Sequence, residues 1–343
     1  MGVVLAIGTM KGAWFARPTD SGWHFSGPSF KGWQVNTFGG AGDGSYLLTT
    51  GSSWYGAAIH RSDDLSEWTQ IVAGPAYGDD DGPKLTQIWT LAGRDRTLFA
   101  GVAEAGLFRS DDDGTTWSPV NGFNQHPTRG GWEPGLGGLT AHRILLDSND
   151  AAHMWVGVSA VGVFETADAG VTWDLRNEGL PKAATNEEYS GIGYCVHCLV
   201  ADPSDPNTIW RQDHAGVFRT TDGGRHWDRI ETGLPAGFGF PIDRDPVTGR
   251  LFVVPLESDE FRLPVDGELA VYGSDDGGDS WEPKGSWSGY DGVLRDAMTV
   301  DGAGGVYLGT TGGRVVFSSD SGDNWAEMGE TFPRILSLHA FAE

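Results

Sequence analysis

The sequence predicts an all-β chain: a seven-bladed β-propeller, a single domain over residues 1–343, its ring closed by the C-terminal strand joining the N-terminal blade. Three observations predict it. The pattern Ser/Thr-x-Asp-x-Gly-x-x-Trp occurs five times in full and twice in worn form. The seven tryptophans of these copies are separated by 45, 49, 56, 54, 54 and 44 residues, a period that denotes propeller blades. The 53 glycines and 15 tryptophans supply the tight turns and aromatic packing that many short strands need.

The full copies occupy residues 110–117, 166–173, 220–227, 274–281 and 318–325. A shortened copy at 62–68 lacks the glycine, and a compressed one at 19–23 keeps Asp20, Gly22 and Trp23. In each, a strand ends in a hairpin whose Asp accepts bonds from turn amides and whose Gly supplies positive φ. The Trp opens the next strand and packs inward. This turn device is the Asp-box. Each repeat also holds an inner strand, at 34–38, 87–91, 142–146, 197–201, 240–244, 296–300 and 334–339. The last has no box after it, and the N-terminal box has no inner strand before it. Those two ends are expected to complete one blade and remove both sheet edges.

Lys and Arg total 23 against 47 Asp and Glu, a net charge of −24, and no Lys/Arg-rich run exists. That disfavours nucleic acid and anionic membranes as partners, because phosphate contacts need clustered cations. No segment approaches the 18 or more apolar residues that would span a membrane. The first residues lack a basic start, and Cys195 and Cys198 are the only cysteines. A cytoplasmic chain without a disulfide framework is the expectation. The acidic runs Asp79-Asp80-Asp81 and Glu187-Glu188 read as solvated loops.

Boxes joining third and fourth strands all fall on one face of a propeller, leaving the long loops (118–141, 174–194, 256–268, 282–293) on the other, where function concentrates. Asp147, Asp202, Asp245 and Asp301 close inner strands. Five residues before them stand His142, His197, Phe240 and Asp296, with Gln87 and Arg334 at about the same register elsewhere. These positions are expected to ring a channel mouth, joined by the hairpin residues Lys11, Glu104 and His214. The loops carrying His126, Arg129, Trp132 and Glu133, and Glu257 and Arg262, are expected to sit above them. Cys195 and Cys198 point to opposite sides of a strand, so the pair does not read as a metal motif.

Across its full length the chain resembles a bacterial family identified as BNR/Asp-box repeat proteins or sialidase-like glycosyl hydrolases. The resemblance is carried by GTMKGAWF at 8–15, NQHPTRGGWEPGLGG at 124–138, FGFPI at 238–242, VVPLESDE at 253–260 and VLRDAM at 293–298. It implies a propeller, and since the label rests on the boxes no activity follows from it. Sialidases themselves have six blades, an arginine triad, a Tyr–Glu pair and an N-terminal Arg-Ile-Pro. Here that tripeptide is missing, and Phe332-Pro333-Arg334-Ile335 is its scrambled, C-terminal counterpart, so an authentic sialidase is not expected.

Three functions fit. In a glycosidase-like hydrolase acting on a small polar or sugar-containing substrate, two of Glu104, Glu133, Glu257 and Asp296 act as acid and base or nucleophile. His126, Arg129, Trp132, Trp54, Arg262, Arg295 and Gln87 then line the ligand. In a metal-dependent lyase or hydrolase, His142, His197 and His214 hold a divalent ion, the one cofactor this sequence suggests. In a non-catalytic module the same face binds a glycan or a protein, with Trp54, Tyr55 and Trp132 as platforms. The hydrolase is the reading taken forward.

Overall fold

The computed structural model describes residues 2–52, 54–78, 82–181 and 188–343; residues 79–81 and Glu187 of the acidic runs lie outside the described residues. Among these, regular structure is β-strand except for a four-residue helix, Asn121–Asn124, and two 3-10 turns, Arg129–Gly131 and Val265–Gly267. The chain divides into two compact units. One is Met1–Val35 with Trp210–Arg219 and Asp228–Glu343; the other is Asn36–Ile209 with Thr220–Trp227.

Five sheets have four strands each, taken in chain order. In one of them Gln87–Arg94, Thr97–Ala103, Gly106–Ser110 and Ser118–Pro119 run antiparallel, with Leu91 opposite Ala100 and Ala100 opposite Phe108. Five of the seven predicted inner strands are the first strands of these sheets, as Ala141–Leu146 and Gly239–Arg244 illustrate. The seven blades expected from the sequence are not found: among the described residues there are five four-stranded blades, and the remaining strands form one eight-stranded sheet. The reason lies at the C-terminal strand, Ile335–Ala342, which is bonded on both edges. It pairs antiparallel with Val3–Thr9, with Ala340 opposite Leu5 and Leu338 opposite Ile7. Its other edge meets Val293–Val300 through a parallel bridge at Asp296 and Ser337. A strand shared in this way does not close a separate blade. Repeat counting reads turns, whereas strand edges decide where a sheet ends.

Every full box makes the same bonds from its glycine amide, its Ser/Thr hydroxyl and the amide four residues after the Asp. In the copy at 110–117 the Gly114 amide donates to Ser110 Oγ (2.9 Å) and Ser110 Oγ to Asp112 Oδ1 (2.8 Å). The amide and hydroxyl of Thr116 reach the two Asp112 oxygens at 2.9 and 2.7 Å. In the other four boxes the amide four residues on meets Asp168, Asp222, Asp276 and Asp320 at 2.8–3.0 Å. Gly114, Gly170, Gly224, Gly278 and Gly322 all have φ between +82° and +100°, which a Cβ would strain. The strand-closing acids serve a different turn. Asp147, Asp202, Asp245 and Asp301 each accept the amide two residues on at 2.7–2.8 Å, and so reverse the chain in the first hairpin of the sheet.

Three of the second strands, Met154–Val158, Leu251–Pro255 and Val306–Thr310, are buried at every position. Covered on both faces, they read as apolar runs instead of alternating. One core gathers Leu5, Ile7, Val254, Leu269, Leu308 and Leu338; another gathers Phe123, Trp132, Met154, Val156 and Phe164.

Deleting residues 333–343 removes the buried Ile335, Leu338 and Phe341, each contributing about 2 kcal/mol. A sharply lowered Tm is expected in calorimetry. The box carboxylates give a second expectation. Hydrogen bonds within their turns hold Asp112, Asp168, Asp276 and Asp320 at about 2, below the ordinary carboxylate range. A depressed folded-state pKa contributes stability above the unfolded value and loses it as pH falls. Acid unfolding should therefore develop between about pH 4 and 2. At neutral pH Asp112→Ala should cost about 1 kcal/mol in a urea melt.

Candidate functional site

In the unit built on residues 36–209, a hairpin and a long loop bring Glu104, Arg129 and Tyr77 together. Glu104 is exposed on the turn between Thr97–Ala103 and Gly106–Ser110. Arg129 donates to the Ala105 carbonyl and lies 4.6 Å from the Trp132 ring. The Tyr77 hydroxyl donates to the Glu104 carbonyl (2.6 Å), and its side chain is hydrogen-bonded to Arg129. Burial pushes the Tyr77 phenol up to about 12 against the opposing pull of Arg129, and burial lowers the Arg129 guanidinium. The site is thus a half-buried cation between an aromatic face, a phenol and a carboxylate.

Trp132 and His126 hold this loop from below. Trp132 is buried, its ring 5.3 Å from Phe123 and 5.0 Å from Phe164. Its indole N–H donates to Thr128 Oγ1 (2.9 Å), which in turn contacts His126 Nδ1 (2.8 Å). His126 Nε2 faces the Trp173 carbonyl (3.3 Å) and therefore carries the proton. Burial lowers its pKa. Elsewhere in the unit, Gln87 opens its strand opposite Ala103, Glu133 is exposed, and Trp54 stands 88% exposed on a turn beside Tyr55. His142 is buried, donating from Nε2 to the Val196 carbonyl (2.6 Å).

In the other unit two of the residues predicted for ligand contact, Arg262 and Arg295, meet around Phe240. Arg295, on Val293–Val300, places its guanidinium carbon 5.1 Å from the Phe240 ring centre; Arg262 does so at 5.7 Å. Phe238 packs on Phe240 at 5.4 Å, and His214 on Phe238 at 5.5 Å. Arg262 is presented by a loop pinned at its base, where the Glu257 amide donates to the Leu263 carbonyl (2.8 Å) and the Arg262 amide to the Ser258 carbonyl (2.9 Å). Glu257 is exposed on that loop, and Asp296 follows Arg295 on its strand. Burial lowers the pKa of His214; Asp259 opposes this, and Arg262 and Arg295 add to it.

Tyr77 and Phe238 were not among the expected site residues, and Asp259 was expected only as part of the insertion at 257–262. The last two lie in the segments FGFPI and VVPLESDE, so a signal was present; Tyr77 lies in irregular chain and gave none. Of the three histidines expected to hold a metal ion, His142 and His197 lie buried in the unit built on residues 36–209 and His214 lies half-buried in the other unit. No cofactor is assigned to them.

No family model matches the chain. Its sequence is similar to the oligoxyloglucan-reducing end-specific xyloglucanase of Emericella nidulans, 24% identical over 245 residues, covering 60% of this chain and 28% of that protein. The chain thus spans less than a third of the length of the curated relatives it matches. Its fold is similar to that of an ancestral GH74 enzyme (TM-score 0.56, 16% identity, 90% of this chain and 38% of that one). It is also similar to YCF48 bound to D1 peptide (TM-score 0.55, 13% identity, 85% and 81%). At such identities the structural likenesses speak for the fold. The relatives are xyloglucanases, and the BNR/sialidase label is not the one they carry. No helix among the described residues is long and apolar enough to cross a membrane.

His126→Ala should cost about 2 kcal/mol by opening the packing beneath the loop and freeing Thr128. The check is the midpoint of urea unfolding; an unchanged midpoint would show that the loop does not need this support.

Proposed function

We propose that the chain is a glycosidase-like hydrolase of a sugar-containing substrate, with its reacting groups beside Phe240. The observation that carries this reading is the sequence likeness to xyloglucanases over 60% of the chain. The site chemistry agrees with it. One loop and one strand that bring Arg262 and Arg295 to a common ring also carry Glu257, Asp259 and Asp296. Glycoside hydrolysis needs two carboxylates, one protonated to help the leaving group and one ionised as base or nucleophile. Phe238 and Phe240 would keep water away from part of the site, and His214, its pKa lowered, would stay neutral and hydrogen-bond a sugar hydroxyl.

The test is release of new reducing ends from xyloglucan oligosaccharides and other plant glycans. Glu257→Gln, Asp259→Asn and Asp296→Asn are compared with the parent protein at matched Tm. Two of the three should lose at least about 100-fold in kcat, the usual contribution of a positioned acid or base. Full activity in all three, or no turnover of any glycan by the parent, would overturn the reading. A binding module for a peptide is the second reading. It is favoured by the likeness to a peptide-bound YCF48 structure that this chain covers over 81% of its length.

A further inference from the structure

Lys11, Lys31 and Arg334 lie on three chain reversals tied together by main-chain bonds. Lys11 is on the hairpin between Val3–Thr9 and Gly12–Thr19, and Arg334 stands just before Ile335–Ala342. Lys31 is on the turn closed by the Trp33 amide and the Phe30 carbonyl (2.9 Å). The Met10 amide donates to the Arg334 carbonyl (3.1 Å), and the Gly32 amide to the Lys11 carbonyl (3.0 Å). All three side chains are exposed, and with the described residues none makes a hydrogen bond or an ion pair. Other cations of the same unit differ: Arg17, Arg219, Arg250 and Arg314 are each paired with a carboxylate. Local composition agrees. Residues 1–42 hold one acid, Asp20, against Lys11, Arg17 and Lys31, and residues 331–342 hold none, in a chain whose net charge is −24. Glu330, the acid nearest to Arg334 in sequence, is on Ala326–Thr331 and pairs with none of the three. Three unmatched cations on an acidic protein create a local positive field that draws anions.

We infer that these three turns form an anion subsite for an acidic glycan, Lys11, Lys31 and Arg334 meeting the carboxylates of successive uronic acid residues. The glycan rests on the hydrolase reading; its charge rests on these cations. Asp296 and Ser337 are bridged in parallel, so Arg295 and Arg334 lie at the same end of two neighbouring strands. The turns thereby border the reacting groups proposed beside Phe240. A lysine on an exposed turn is a mobile point charge with three donors. Such groups follow charges spaced along an extended chain, where a rigid clamp would hold a single one. Each exposed ion contact is weak, so recognition comes from making several at once.

The experiment is calorimetric titration of the full chain with an oligogalacturonate and with its methyl ester, which has the same sugars without the charge. Three exposed ion contacts of ordinary strength should give the acid form an advantage of about 10-fold at low salt. That advantage should vanish near 1 M salt, where screening acts within about 3 Å. The triple variant Lys11→Gln, Lys31→Gln, Arg334→Gln should remove it while holding affinity for the ester within about 2-fold and leaving Tm unchanged, since none of the three side chains supports the fold. Equal affinity of the parent protein for the two forms, binding of neither, or an acid preference that survives in the triple variant overturns the inference. So does a single-stranded oligonucleotide of matched charge that binds as tightly as the acid glycan, because the turns would then read charge and not sugar. Turnover of neutral glycans without an acid preference would overturn the inference and leave the hydrolase reading intact. An acid preference that is lost in the triple variant, without turnover of any glycan, would do the reverse.

Discussion

The capture of turn amides by one aspartate is the constraint on which the rest of the structure depends. In each full box two successive residues of positive φ reverse the chain between the third and fourth strands. Such a backbone leaves amides that no strand can satisfy, and an unsatisfied buried donor costs more than a made bond returns. Asp112 and its four counterparts take up those amides, while the preceding Ser or Thr bridges carboxylate and glycine. Once the turn is fixed, the tryptophan after it is fixed too. Trp227 Nε1 donates to the Arg176 carbonyl, and Trp281 Nε1 to that of Ile230, each about fifty residues earlier in the chain. In these two repeats a local turn thereby sets the register of packing with the preceding one, while Trp117, Trp173 and Trp325 donate to the glycine carbonyl of their own box.

Polar residues near a predicted site serve two ends, and burial separates them. His126, His142 and Trp132 are buried, each committed to a hydrogen bond within the protein. They support loops. His214, Arg262 and Arg295 are half-buried and gather at the aromatic rings of Phe238 and Phe240. Rigidity below and partial exposure above is the arrangement expected of a ligand site on a folded scaffold. The acids that close the first strands belong with the supports: Asp147 and Asp245 are buried and bond the following turn.

Much of the strand order was legible in the residues. Box, first strand and buried second strand follow from local chemistry, since a box hydrogen-bond pattern, an Asx turn and an apolar run each need only neighbours in sequence. Convergence on Phe240 was half legible. The register that singled out Phe240 and Asp296 was real, but it came from the turn chemistry of the following Asp, so it located strand starts and not side-chain partners.

What the sequence alone determined, then, is the unit: where each strand ends, how each hairpin turns, and which tryptophan packs inward. Tertiary structure decided which edges join. The strand Ile335–Ala342 bonds on both sides and merges two predicted blades into one eight-stranded sheet, because an unpaired strand edge is satisfied by any strand that reaches it, whatever the repeat count. It also decided that Trp132 is core and that Arg262 and Arg295 share a ring. Those outcomes depend on contacts between residues tens of positions apart, and no local pattern encodes the distance between them.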